Sequence, residues 1–176
     1  MLHVSEQVKS IHLRKLTAGS LLVALTVSLS GFSIPVGASK CFPIQHLINI
    51  LAAVFLGPIY GVSMAFASSL IRNLLGTGSL LAFPGSMAGA FLGAWFYKKS
   101  GKLVFAYLGE IIGTGIIGAL LSFPAAALFM GKEVAVFFYV IPFLISTTGG
   151  TILGGLFLGM LRQMNLFTYI TRLINE

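Results

Sequence analysis

Long apolar runs parted by short polar breaks occupy almost the whole chain beyond Lys15. A membrane-crossing helix needs about 20 apolar residues, in a range near 17–25, to span about 30 Å of hydrocarbon. That length divides the sequence into six runs. The first covers about Leu16 to Phe32 and the second about Ile44 to Leu56. Gly57-Pro58 interrupts the pattern, because proline cannot donate to a helix and restricts the residue before it. The third covers about Ile59 to Leu75, Gly76-Thr77-Gly78-Ser79 forms a polar break, and the fourth covers about Pro84 to Tyr97. Lys98, Lys99 and Lys102 close it, and the fifth runs from about Leu103 to Met130. Gly131-Lys132-Glu133 turns the chain into the sixth, about Val134 to Leu161. The expected fold is an all-α membrane protein of six transmembrane helices in one integral domain over residues 1–176. The second run is short, so it is tilted, lies deep beside a loop, or begins before Ile44.

Composition agrees with the pattern. Only 9% of the residues are charged, whereas a soluble surface needs roughly 25%. The net charge of +7 lies in short clusters between apolar runs, without the aromatic-interleaved stripe that tracks phosphates, so nucleic acid is excluded. One cysteine, Cys41, rules out an internal disulfide and a multi-cysteine metal site. Glu6, Lys9, Arg14 and Lys15 ahead of the first run resemble a signal peptide's start, but no Ala-x-Ala-like site follows, and a retained first helix is expected.

Lysine and arginine placement sets orientation, since cytoplasmic flanks carry the excess. With the N-terminus inside, Lys9, Arg14, Lys15, Lys98, Lys99, Lys102, Arg162 and Arg172 lie inside, and only Lys40, Arg72 and Lys132 outside. Both termini are therefore expected in the cytoplasm. The polar loop Ser39-Lys40-Cys41-Phe42-Pro43-Ile44-Gln45-His46 then faces outward.

Hydrocarbon offers no hydrogen-bond partners, so polar side chains inside spans face the bundle interior or a watery cavity. Gln45, His46 and Asn49 open the second span, with 45 and 49 on one helical face. Phe42 precedes them; Arg72 and Asn73 sit near the outer end of the third span, and Ser79 and Phe83 in the next outer loop. Glu110 and Thr114, again four apart, lie on the fifth span, and Tyr139 and Ser146 on the outer half of the sixth. Most of these converge at one outer depth, where a small polar molecule from outside would meet them. Glu110 lies deeper, roughly 10 Å from the inner end of its helix at 1.5 Å per residue. It is either the floor of a cavity or a buried partner for a basic group such as Arg14.

Each candidate has a plainer explanation. Arg72 can snorkel to the headgroups, His46 can bond backbone at a helix start, Lys40 and Cys41 can be a loop charge and a packing residue, and Tyr139 can belong to the interfacial aromatic belt. Gly85, Gly89 and Gly93 recur every four residues, as do Gly150 and Gly154, and Gly155 and Gly159, the spacing that lets helices approach closely in lipid. Ser20, Ala24 and Ser28 repeat it on the first span, either to hold the bundle together or to dock a separate subunit. No paired-carboxylate site, metal-ligand motif, phosphate loop or nucleophile elbow is present, so no catalytic residue is assigned. Gly113-Thr114-Gly115-Ile116-Ile117-Gly118 has a dinucleotide-loop spelling but lies inside an apolar run without a preceding strand, which makes it helix packing.

Six short helices, a basic N-terminus, a small-residue stripe on the first helix and a polar loop after it resemble the substrate-binding S component of an energy-coupling factor (ECF) transporter. The blocks IPVGASKCFPIQHLINILAAVFLGPIYG, SLIRNLLGTGSLLAFPGSMAGA and GEIIGTGIIGALLSFP more specifically resemble the ThiW family, from about Ser33 to Pro124. The resemblance implies a multi-pass protein of a prokaryotic cell membrane that captures hydroxyethylthiazole, the thiazole moiety of thiamine, for salvage. It implies as partners a transmembrane T component and two ATP-binding-cassette ATPases, which use the ATP; this chain binds no cofactor or metal. Substrate is captured outside, the S component tilts against the T component, and ATP hydrolysis resets the cycle. The family's helix-one alanine motif, which docks the T component, corresponds to Ser20 and Ala24 with Ser28 next, serine replacing one alanine.

Hydroxyethylthiazole is small, neutral and aromatic, with a ring-nitrogen acceptor and one hydroxyl. Gln45, His46, Asn49 and Asn73 supply polar partners for it, and Phe42 and Phe83 the walls. A phosphorylated cargo would call on Arg72 and Lys40; the free alcohol is preferred, because a neutral pocket avoids dehydrating a dianion. The alternatives are an S component for thiamine or hydroxymethylpyrimidine, a self-sufficient proton-coupled carrier using Glu110, and a non-transport scaffold.

Overall fold

A computed structural model describes residues 2–36, 39–131 and 134–176. Gly37 and Ala38 of the first quoted block, and Lys132 and Glu133 of the turn before the last run, lie outside the described residues. Helix α1 spans Leu2–Ser28, starting well before Leu16 because no glycine or proline interrupts the charged residues ahead of the apolar run. The chain unwinds after Ser28, short of Phe32, into an antiparallel hairpin of β1 (Ile34–Val36) and β2 (Ser39–Cys41), with Ile34 opposite Cys41. Helices α2 (Pro43–Phe55) and α3 (Pro58–Leu74) each begin on a proline, whose fixed φ suits a first helical turn. Gly57 between them takes a φ of 84°, which only glycine adopts freely.

Helix α4 spans Ala82–Ser100 and stops at left-handed Gly101. Leu103 to Met130 is one continuous helical rod made of α5 (Leu103–Ile112), a π-helical segment Gly113–Gly118, and α6 (Ala119–Met130). Helix α7 spans Val140–Gln163 rather than starting near Val134. Residues 134–139 are apolar enough to extend the run, but Pro142 sits in the first turn of α7, where a missing N–H is tolerated, and fixes the start there. Asn165 at φ 58° then breaks the chain into α8 (Leu166–Asn175), which hydropathy alone passes over because it is short and amphipathic. Its Phe167, Ile170 and Ile174 pack on the core.

Apart from the hairpin, the described secondary structure is helical. The rod Leu103–Met130, with 28 residues, and α7, with 24, are long and apolar enough to cross a membrane; at 1.5 Å per residue they reach about 42 and 36 Å. Helix α2 is apolar but has only 13 residues, ten of them buried between its neighbours, so the polar side chains at its start lie inside the bundle.

Glycines fix the closest helix pair. Positions 85, 89 and 93 of α4 face Gly118, Gly113 and Gly109 of the rod: a Cβ on Gly109 would lie 2.6 Å from Gly93 Cα, one on Gly113 2.7 Å from Gly89 Cα, and one on Gly118 would overlap Gly85 Cα. The spacing is four and four on α4 but four and five on the rod. The π-helical segment absorbs the extra residue and keeps the two stripes in register.

Candidate functional site

A cavity of about 610 Å³ opens at one end of the bundle. It is bounded by Ser30 beyond α1, Lys40 of β2, the first turn of α2, the 76–79 loop, the first turns of α4, Thr114 of the π-helical segment, and residues 138–146. Of the residues expected at a site, Phe42, Gln45, His46, Ser79, Thr114, Tyr139 and Ser146 line it. Asn49, Arg72 and Glu110 do not; each is 1% exposed.

Those three build the layer beneath the cavity. Glu110 Oε1 lies 2.9 Å from His46 Nδ1 and accepts from Asn49 Nδ2 at 3.1 Å and Thr114 Oγ1 at 3.0 Å. Asn49 also donates to Ser86 O at 3.3 Å, and Thr114 to Gly85 O at 3.1 Å, which ties α2 and the rod to α4. The other ring nitrogen, His46 Nε2, lies 3.1 Å from Ser146 Oγ, which accepts from the Phe42 backbone N–H at 2.9 Å. Gly89 makes room for this layer: a Cβ there would meet Thr114 Oγ1 and Glu110 Oε2. The partner of Glu110 is His46, not Arg14, which is exposed and donates to Leu173 O.

Arg72 is buried without a carboxylate partner among the described residues. Its Nη1 donates to Gln45 Oε1, and its guanidinium carbon stands 4.2 Å from the centroid of the Phe42 ring. Nε and Nη2 have no partner among the described residues. Snorkelling toward headgroups is therefore not its arrangement.

Two expected contacts fall elsewhere. Phe83 leaves the cavity to Leu81, Ala82, Gly85 and Ser86 and packs against Phe66 of α3, with ring centroids 5.6 Å apart. Asn73 donates to Ser69 O at 2.7 Å and Ser79 O at 3.1 Å, which fastens the 76–79 loop to α3. Lys40 is exposed and borders the cavity, while Cys41 is buried against Pro142 O at 3.4 Å. Burial pushes the Cys41 thiol pKa up.

Sequence reasoning missed Ser30, Ser86, Phe138 and Phe143 among the lining residues. Ser30 was hidden inside an apolar run expected to stay helical, and single serines and phenylalanines in spans carry no distinguishing signal. Ser20, Ala24 and Ser28 all lie on the exposed side of α1. A family profile described as "Thiamine-precursor transporter protein (ThiW)" matches residues 16–164. Neither curated proteins nor solved structures gave a match.

Proposed function

This chain belongs to the ThiW family of thiamine-precursor transporters, and we propose that it is the substrate-binding S component of an ECF importer, with hydroxyethylthiazole as its ligand. The family is one of transporters, not of enzymes. The observation that carries the reading is the cavity itself: aromatic Phe42, Tyr139 and Phe143 stand beside the polar groups of Gln45, His46, Thr114 and Ser146. A neutral heteroaromatic ring with one acceptor nitrogen and one hydroxyl matches that lining.

Six crossings with both termini in the cytoplasm accompany this reading. Lys98 and Lys99 lie in the last turn of α4, with Lys102 just beyond it, and Arg162 in the last turn of α7, opposite the cavity, so the positive-inside rule turns the cavity outward. The partners are a T component, docked on the exposed Ser20, Ala24 and Ser28 face, and two ATPases that use ATP on the other side of the membrane of a prokaryotic cell. Calorimetry on the purified protein without ATPases is expected to show tight binding of hydroxyethylthiazole. Absence of heat with the thiazole, together with a response to hydroxymethylpyrimidine, would replace the ligand and keep the class. Uptake by the isolated protein in liposomes under a pH gradient, abolished by Glu110→Gln, would instead establish a self-sufficient carrier.

A further inference from the structure

Among the described residues Arg72 is the one lysine or arginine buried at the site, and its partners Phe42 and Gln45 both line the cavity. The Phe42 ring lies against its guanidinium, and the Gln45 carbonyl accepts its Nη1–H. An arginine keeps its charge at any ordinary pH. Its positive field therefore reaches the cavity through the Phe42 ring, and the ring's electron-rich character is already engaged by the guanidinium. Gln45 Oε1 accepts from Arg72, which takes one of its two lone pairs and leaves the amide N–H groups to donate to a ligand. Lys40 adds a second positive charge at the rim, and among the described residues no carboxylate lines the cavity. Glu110 lies outside the lining, one layer down, where its Oε1 meets His46, Asn49 and Thr114 and its Oε2 has no partner among the described residues.

We infer that Arg72 acts through Phe42 and Gln45 as a specificity-determining residue that admits neutral rings with an acceptor nitrogen and refuses cationic ones. The inference rests on the ligand reading above and adds the charge rule. A thiazole fulfils it, whereas the thiazolium ring of thiamine, alkylated on nitrogen, has neither the lone pair nor the neutral charge. The site thereby takes a precursor and leaves the finished vitamin.

The test is a matched pair: hydroxyethylthiazole and its N-methylthiazolium salt, titrated calorimetrically into the same purified protein. Like charges about 8 Å apart at an effective dielectric near 20 repel enough to cost about tenfold or more in affinity. The wild-type protein is expected to favour the neutral ring by at least that factor. Arg72→Gln should narrow the preference to about threefold or less, and Arg72→Lys should keep most of it. Gln45→Glu, which gives Arg72 a carboxylate partner and so is suited to fold, should also narrow it. Equal affinity for both members in the wild-type protein overturns the inference, as does an unchanged preference in the folded Arg72→Gln and Gln45→Glu proteins. A second pair, hydroxymethylpyrimidine and its N-methyl salt, separates the failures. Preference for the neutral pyrimidine without any thiazole binding removes the thiazole reading and supports the charge rule; a protein that binds no member of either pair overturns both.

Discussion

His46 stands between a carboxylate and a hydroxyl, which engage both of its ring nitrogens. Glu110 Oε1 stands 2.9 Å from Nδ1, and Ser146 Oγ, which accepts from the Phe42 N–H, stands 3.1 Å from Nε2. The acceptor on which this hydrogen-bond chain ends, Glu110 Oε1, also holds Asn49 and Thr114, while Oε2 has no partner among the described residues. Glu110→Ala removes the partner of His46 Nδ1 and of one Asn49 N–H, each costing about 1–3 kcal/mol when left unpaired, while the Thr114 hydroxyl keeps Gly85 O. Thermal unfolding in detergent should register that loss, and Glu110→Gln, which keeps an acceptor oxygen, should cost clearly less. The lining separates two residues that look alike in the sequence. His46→Ala should weaken ligand binding by about 1–3 kcal/mol, whereas Asn49→Ala, one layer down, should lower stability more than affinity. Calorimetry and unfolding on the two variants check that order. Cys41 gives a further residue-scale expectation: its raised pKa leaves less thiolate at neutral pH, so maleimide should label it slowly until the protein is unfolded. The presence of Gln45, His46 and Asn49 near the site was legible because amides and imidazoles are rare in this chain. That Asn49 and Glu110 support the floor while His46 faces the cavity was not, because it depends on how α2 is rotated between α4 and the rod.

At the scale of elements, the glycine stripes were legible as a spacing, while their pairing was not. Gly85, Gly89 and Gly93 meet partners separated by four and then five residues, and only a π-helical turn reconciles the two. Hydropathy carries no trace of that turn, nor of the unwinding that frees Ser30 and the hairpin from the first apolar run. The register matters to the site because the same segment brings Thr114 to the cavity and to Glu110. A methyl group at Gly118 would have to displace the backbone of Gly85, and overpacking of this kind costs about 1–3 kcal/mol. At Gly159 a Cβ would meet nothing within 4 Å. There the gain of about 1 kcal/mol in helix propensity is unopposed. Gly118→Ala should therefore lower the unfolding temperature and Gly159→Ala should hold or raise it. The same methyl group thus acts with opposite signs at two helix positions, and a result of equal sign would mean the stripes do not pack backbone to backbone.

At the scale of the molecule, the distribution of charge and exposure divides the surface into faces with different duties. The cavity occupies one end, the cations Lys98, Lys99 and Arg162 the other, and a flank of α1 carries Ser20, Ala24 and Ser28 outward alongside exposed Leu13, Leu16 and Leu21. The sequence left that stripe two duties, packing within the bundle or docking a partner, because spacing is the same for both. Exposure favours the second: a small-residue groove turned away from its own bundle lets another helix approach closely in lipid, where van der Waals contact rather than hydrophobicity drives association. Ser20→Leu and Ala24→Leu fill the groove without touching the cavity, and at exposed positions such changes alter stability by about 0.5 kcal/mol or less. Each variant should therefore bind the thiazole as the wild-type protein does, unfold at the same temperature, and fail to co-purify with the T component. Loss of thiazole binding in parallel with co-purification would return the stripe to the inside of the bundle, whereas full co-purification with both leucines in place would move the docking face off α1.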